Sequence, residues 1–434
     1  VTSPPGIEAR AIAQKALGET LRKRRPLDAA LDEILLDSPL AARDSGFARA
    51  IANETLRRFG QLDDLVRRFV PKSPPPHRAG PTLEILLAGA CELLFLDVPA
   101  HAAVDAANRL AARDTKAVHF KPLINATLRR IAGEGRAVVA AQDALRLNTP
   151  DWLWSRWCAA FGEATTREIA QVHATPAPLD VVMKSPSTVT SDEHRDAIRL
   201  PGNVMRLGEQ GAVDSLAGFA EGAWWVQDFA ASVPARLFGE VAGKRVFDLC
   251  AAPGGKTAQF AATGAEVTAV EREPSRLARL AENLERLALR ATLVEADIRD
   301  FAPDTRAEFV LLDAPCTATG TIRRHPELPW IKSAADVMSC AQAAAELLDA
   351  AADLVAPSGL LVFAVCSLEE EEGPQQIGDF LRRHPEFRRE PVAAAELFGL
   401  TELINDEGDL RTLPCHLATQ GGMDGFYAAR LRHI

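Results

Sequence analysis

Through the first 140 residues apolar positions recur at three- and four-residue spacing, in Ile12–Leu21, Leu27–Leu36, Phe47–Phe59, Leu62–Val70, Leu83–Leu96 and Ala102–Ala111. That period puts them on one face of a helix, and no alternating strand pattern intervenes. Ser73-Pro74-Pro75-Pro76 and Val98-Pro99 interrupt the run, because proline removes a backbone donor and stops a helix. The pattern predicts an all-α bundle over residues 1–140. Over 141–240 it becomes mixed: a helix with Trp152, Trp154 and Trp157, a break at Pro176-Ala177-Pro178, and short apolar segments such as Leu179–Met183, read as a small α/β connector. Over 241–434 short β-branched runs alternate with amphipathic helices, the pattern of a doubly wound α/β domain built on a parallel sheet. Its predicted strands are Arg245–Cys250, Glu266–Glu271, Thr292–Glu295, Phe309–Asp313, Leu360–Cys366 and Gly425–Arg432. The Glu369–Glu372 run reads as a solvated helix start, with acidic side chains at the positive end of the helix dipole.

A chain of 434 residues exceeds what one core serves, which agrees with several domains. The formal net charge of −10 runs against nucleic-acid binding, yet residues 1–140 carry roughly 21 basic to 16 acidic side chains, so any RNA affinity belongs to local patches. Seven widely spaced cysteines with no CxxC pair exclude a disulfide framework and a zinc knuckle; reduced thiols and no metal are expected. No apolar stretch reaches the roughly 18 residues of a membrane span, and Val1-Thr2-Ser3-Pro4-Pro5 lacks a basic segment followed by an apolar one. The expectation is a cytoplasmic protein with no membrane partner.

Asp248-Leu249-Cys250-Ala251-Ala252-Pro253-Gly254-Gly255-Lys256-Thr257 follows one predicted strand and opens a helix, where small residues let backbone approach a ligand. It is neither GxGxxG nor a P-loop, which disfavours a dinucleotide oxidoreductase. Glu271 ends the second strand and Asp297 follows the third. In an open parallel sheet ligands bind beyond those ends, so Glu271 suits ribose hydroxyls and Asp297 an adenine amino group. Each carboxylate reads equally as a helix N-cap or a surface residue.

Cys316 and Cys366 stand at the carboxyl ends of two strands expected to be neighbours, which brings both thiols to one pocket beside the cofactor loop. Cys91, Cys158, Cys340 and Cys415 read as packing residues, and Cys250 as packing against the cofactor loop. Paired thiols of this kind fit covalent chemistry such as methylation of cytosine C5, a poor nucleophile that needs a thiolate added at C6 first. Lys256 and nearby helix N-termini favour that thiolate, and Asp313 is placed for N3 and the exocyclic amine. Removal of the C5 proton before elimination suits a second thiol.

DLCAAPGGKT, LLDAPCTATGTIRRHPE, VFAVCSLEEEEG and MDGFYAARL resemble the Sun/RsmB group of bacterial ribosomal RNA cytosine-C5 methyltransferases. The resemblance implies a Rossmann-like class I fold, S-adenosylmethionine as cofactor and RNA, not DNA, as partner. It implies Cys366 as nucleophile and Cys316 as the residue that assists release, the reverse of the order in DNA enzymes. It carries cofactor contacts onto Cys250, Ala251, Ala252, Pro253, Gly254, Gly255, Lys256, Glu271, Asp297 and Asp313, with Arg276 beside the second acidic position. Phe47-Ala48-Arg49, Asp97-Val98-Pro99-Ala100-His101 and Asn125-Ala126-Thr127-Leu128-Arg129-Arg130 look like the NusB fold that begins this group.

Glu271 departs from the group's usual aspartate, Val365 from its threonine, and Gly373 from its asparagine; the last two bear on the helix start after the catalytic loop. Alternative readings are the same chemistry on transfer RNA and a non-catalytic RNA-binding or antitermination protein, the latter disfavoured by the paired thiols. Arg323-Arg324-His325 is a candidate phosphate contact or a solvated surface loop.

Overall fold

The structure is a computed structural model and describes residues 6–36, 38, 40–72, 74–185, 197–208 and 211–434. The Val1–Pro5 start and Ser73 of the proline break lie outside the described residues. The chain forms two compact units: one runs through Thr175 and adds Ile322–Ser333, and the other comprises Pro176–Thr321 and Ala334–Ile434.

The described part of residues 1–140 in the first unit is built of helices, as its periodicity predicts. In Ile7–Lys23 the buried Ile12, Ala13, Ala16, Leu17 and Thr20 share one face, and they pack with Leu27, Leu31, Ile51, Ala52 and Leu56 in one of two cores. The other core gathers Leu62, Leu65 and Val66 with Thr82–Leu94, Ala100–Arg113 and Lys121–Ala140, where every third or fourth side chain is apolar. The tryptophan-bearing helix, Asp151–His173, belongs to this unit.

Ile322–Ser333 is the unexpected component. It folds as turns and the short helix Leu328–Ile331, with Trp330 packed on Phe59 at 4.7 Å between ring centroids. Trp330 Nε1 donates to the Leu56 carbonyl at 3.0 Å, and Arg24 Nε to the Ile331 carbonyl at 2.7 Å. Buried Arg57 donates to the carbonyls of Arg323 at 2.9 Å, His173 at 3.1 Å and Thr175 at 3.2 Å. One guanidinium thereby satisfies three backbone acceptors from segments distant in sequence.

The second unit contains two sheets. A small antiparallel sheet is made of β1 (Leu179–Met183), β2 (Ile198–Leu200), β3 (Val204–Leu207) and β4 (Trp224–Val226), in order β2-β3-β1-β4. The larger one contains β5 (Arg245–Leu249), β6 (Glu266–Glu271), β7 (Thr292–Glu295), β8 (Ala307–Asp313), β9 (Val355–Val365), β10 (Phe387–Arg389), β11 (Leu410–Thr412) and β12 (Phe426–His433). Its order is β10-β12-β9-β8-β5-β6-β7, with β11 paired on β12. The pairs among β5 to β9 are parallel and those of β12 antiparallel.

Apolar side chains line both faces of this sheet. Leu360, Val362 and Ala364 enter one core with Phe260 and Leu280, while Leu361, Phe363 and Val365 enter the other with Leu348 and Phe380. A strand covered on both sides has no polar alternation, which is why β9 reads as a continuous apolar run. β9 also begins five residues before its predicted start, with residues 356–359 forming an irregularity between its Ala307–Val355 and Phe309–Leu360 pairings with β8. Strand order reverses at β5, between β6 and β8, which opens a crevice at their carboxyl ends.

Replacing Arg57 with Met leaves the buried carbonyls of His173 and Arg323 without that donor, at about 1–3 kcal/mol each, while the exposed Thr175 carbonyl turns to water. Thermal unfolding of Arg57→Met is expected several degrees below wild type, with faster tryptic cleavage after Arg324. Unchanged melting and cleavage would show that Arg57 does not secure Ile322–Ser333.

Candidate functional site

β5 delivers the cofactor loop to the crevice. Cys250 leaves the strand with φ +59° and Gly254 takes φ +102°, and the helix Gly255–Ala262 follows at once. A side chain at Gly254 would meet Leu280 Cγ at 3.0 Å as well as an unfavourable backbone, so only glycine fits without adjustment. Gly255 packs beside the Gln227 carboxamide, which donates to Gln259 at 2.8 Å. Asp248 is fully buried and accepts from Thr257 Oγ1 at 2.6 Å; burial pushes its carboxyl up to about 7 against the pull of that bond and of Lys256.

Glu271, at the end of β6, accepts from the Glu273 amide through Oε1 at 3.0 Å. Its Oε2 is buried without a hydrogen-bond partner, with Arg276 Nη1 at 3.4 Å as an ionic neighbour. Arg276 also donates to the Ala252 carbonyl at 2.8 Å, joining the cofactor loop to this carboxylate. A buried acceptor without a hydrogen bond, beside a loop of small residues, fits a ribose, so the residues present accommodate a nucleoside cofactor. Asp297 is differently engaged. It caps the turn Ile298–Asp300 and takes a two-pronged ion pair from Arg299, at 2.9 and 2.8 Å, which holds its carboxyl well below the usual range.

Parallel pairing of β8 with β9 sets Asp313 opposite Ala364, and the two loops that follow bring the Cys316 and Cys366 sulfurs to 3.5 Å. The Cys316 pKa is raised well above its ordinary value by the hydrogen bond to Cys366, by burial and by nearby negative charge. Lys256 Nζ lies 2.7 Å from Asp313 Oδ2 and 5.3 Å from the centre of the Phe426 ring. Burial opposes its charge, but attraction to Asp313 and the hydrogen bond outweigh it, so Lys256 stays an ammonium. Cys250 sits by the same loop, its thiol pushed up to about 12 by burial and by Glu271 and Asp313, as suits a packing residue.

Two expectations need correction. Glu369 and Glu372 are not solvated: both are buried, and the helix Pro374–Arg383 begins after them. Glu372 accepts from the Thr317 amide at 2.8 Å, from Thr317 Oγ1 at 2.6 Å and from Ser367 Oγ, while Thr319 Oγ1 donates to Glu369 at 3.2 Å. Arg323 is neither a surface phosphate contact nor a solvated side chain, since it is 1% exposed within the helical unit; Arg324 is exposed and His325 half-buried. Gly373 fits against the Tyr427 ring, which a Cβ would meet at 3.1 Å.

Several contributors carried no clear sequence signal: Gln227, the hydroxyls of Thr317, Thr319 and Ser367, and Arg411, which donates to the Ser367 and Leu368 carbonyls at 2.9 and 2.6 Å. The hydroxyl directly after each cysteine was the available clue. Gly320 packs so closely on Gly425 that a Cβ would lie 1.9 Å from its carbonyl oxygen, and Gly320 N donates to the Cys366 carbonyl at 3.0 Å. Among the described residues no cluster of His, Cys, Asp or Glu is arranged to hold a metal, and no helix is long and apolar enough to cross a membrane.

Residues 237–432 match the 16S rRNA methyltransferase RsmB/F family, and residues 7–133 the NusB family. Ribosomal RNA small subunit methyltransferase B of Pseudomonas putida is 35% identical, over 98% of this chain and 98% of its own. The crystal structure of PH0851 superposes with a TM-score of 0.78 at 24% identity, covering 99% of each chain. NSun6 from Pyrococcus horikoshii, solved with SFG, gives a TM-score of 0.56 at 18% identity over 65% of this chain and 98% of its own. These two structures share the fold.

Because the native Asp248 binds its proton up to about pH 7 and the unfolded one only to about 4, Asp248 loses stabilising effect as pH rises between those values. The melting temperature of Asp248→Asn relative to wild type, both without cofactor, is expected to climb from pH 5 to pH 8. A pH-independent difference would contradict the buried, protonated assignment.

Proposed function

The chain belongs to the RsmB/F family of 16S rRNA methyltransferases, and from that premise we propose that it makes 5-methylcytidine in 16S rRNA through Cys366 and Cys316. It is an S-adenosylmethionine-dependent rRNA methyltransferase; the cytosine chemistry and the residue roles are the proposal. The observation that carries them is the 3.5 Å contact between the two thiols beside Lys256 and Asp313.

Either sulfur can donate across this contact; the raised Cys316 pKa favours Cys316 as the donor, with Cys366 the proposed nucleophile. Cys366 adds to cytosine C6, and the C5–C6 π pair moves towards C5. Asp313, paired with Lys256, faces N3 and the exocyclic amine, and the ammonium offsets negative charge that builds on the ring. S-adenosylmethionine supplies the methyl group taken by C5. Once Cys366 is bonded to carbon its negative charge no longer opposes ionisation of Cys316, which gives its proton to solvent and, as thiolate, takes the C5 proton. That electron pair restores the C5–C6 double bond, and the C6–S bond breaks to return Cys366 as thiolate.

Cofactor contacts are assigned to Cys250–Lys256, Glu271, Arg276, Asp297 and Asp313, with the free Glu271 Oε2 on the ribose. Asp297 reaches an adenine amino group only by sharing its carboxylate with Arg299. Residues 1–140 are assigned to RNA binding, 141–240 to a connecting RNA-binding subdomain and 241–434 to catalysis, in a cytoplasmic enzyme without metal.

The test is methyl transfer from labelled cofactor to unmodified 16S rRNA. Cys366→Ala should abolish both transfer and covalent adduct, whereas Cys316→Ala should accumulate adduct. Formation of 5-methylcytidine by Cys366→Ala would defeat the mechanism, and activity confined to transfer RNA would overturn the substrate. By calorimetry Glu271→Ala should bind S-adenosylmethionine about tenfold or more weakly, since one charged hydrogen bond is worth about 1.5–3 kcal/mol. Unchanged affinity would remove Glu271 from the ribose site.

A further inference from the structure

Glu372 touches neither thiol, yet it is fully buried, and a buried carboxylate is retained only where several donors satisfy it. Its three donors come from two residues: the Thr317 amide at 2.8 Å, Thr317 Oγ1 at 2.6 Å and Ser367 Oγ. Thr317 directly follows Cys316, and Ser367 directly follows Cys366. We infer that Glu372 is a positioning residue that fixes the separation of the two thiols by gripping the residue after each one. This rests on the assignment of addition to Cys366 and release to Cys316.

The directions of the hydrogen bonds explain why the residue is a carboxylate. Ser367 Oγ already accepts from the Glu369 amide at 3.1 Å, so its own proton is free for Glu372. Thr317 presents two donors at once, through its amide and its hydroxyl. Three donors converge, and an acceptor-only group satisfies them without introducing an N–H. Other links join the same two loops: Gly320 N to the Cys366 carbonyl at 3.0 Å, and the Leu368 amide to Thr319 Oγ1 at 3.0 Å. Glu372 is the one that joins the residue after one thiol to the residue after the other.

Release demands that spacing. With Cys366 bonded to C6, Cys316 has to reach the proton on the adjacent carbon, and a misplacement of about 1 Å costs on the order of 100-fold in rate. Addition by Cys366 alone is less exacting. Loosening the Glu372 grip therefore slows release more than addition.

The experiment compares Glu372→Gln, Thr317→Val, their combination and Cys366→Ala in the full-length enzyme. Initial rates, KM for RNA and cofactor, trapped adduct and melting temperature are measured for each. Thr317→Val removes one donor and leaves the buried carboxylate bonded by the Thr317 amide and Ser367, so it keeps the test open should Glu372→Gln fold poorly. Expected is a kcat loss of about 10- to 100-fold in each single variant, with both KM values unchanged and adduct accumulating. The double variant should be little worse than the poorer single one, because both changes break one link.

A merely structural role lowers the folded fraction without changing the ratio of adduct to product. Wild-type kcat per folded enzyme and a wild-type ratio in both single variants, with Cys366→Ala inactive, would overturn the positioning role alone. Methylation by Cys366→Ala would instead overturn the underlying reading, and this inference with it.

Discussion

Two sulfur atoms 3.5 Å apart are the contact on which the rest of the catalytic unit depends. Neither loop makes this contact by itself. β8 and β9 must pair in parallel with Asp313 opposite Ala364, so that the chain turns out of both strands at the same height. Gly320 must lie against Gly425 with no side chain between them, and Gly320 N must reach the Cys366 carbonyl. The apolar cores on the two sides of β9 hold that strand in register, and a one-residue slip would turn its side chains to the opposite faces.

Charge is organised around the same point. The Lys256 ammonium is held by Asp313, while the buried Asp248 is pushed towards its neutral form and Cys250 towards its neutral thiol. A dry environment strengthens each of these interactions, so the proposed division between a reactive and a packing thiol turns on small differences in placement. Glu271 keeps one buried oxygen uncommitted while Asp297 is saturated by Arg299, so the two acidic strand ends are unequal in what they offer a nucleoside.

Much of this was legible in the chain. The β5 to β9 alternation, the glycine-bearing loop after β5 and the two cysteines at strand ends follow from short-range periodicity and from where each strand stops. What escaped depends on partners distant in sequence. Four consecutive glutamates look solvated, and nothing local says that Glu372 meets the Thr317 hydroxyl 55 residues away. Ile322–Ser333 looks like a charged loop of the catalytic region because its partners, Leu56, Arg57 and Arg24, lie about 270 to 310 residues earlier. The early start of β9 escaped because residues 356–359 lie out of register between the Ala307–Val355 and Phe309–Leu360 pairs, which only the fold brings together.

The most direct test of the paired-thiol account is tandem mass spectrometry of the covalent complex formed with 16S rRNA carrying 5-fluorocytidine. Fluorine cannot leave as a cation, so elimination is blocked after methyl transfer and the enzyme stays bonded to its product. The account predicts one cross-linked peptide, joined through Cys366 to a cytidine that carries both the fluorine and a new methyl group. A cross-link through Cys316, or methylated fluorocytidine with no protein attached, would contradict it.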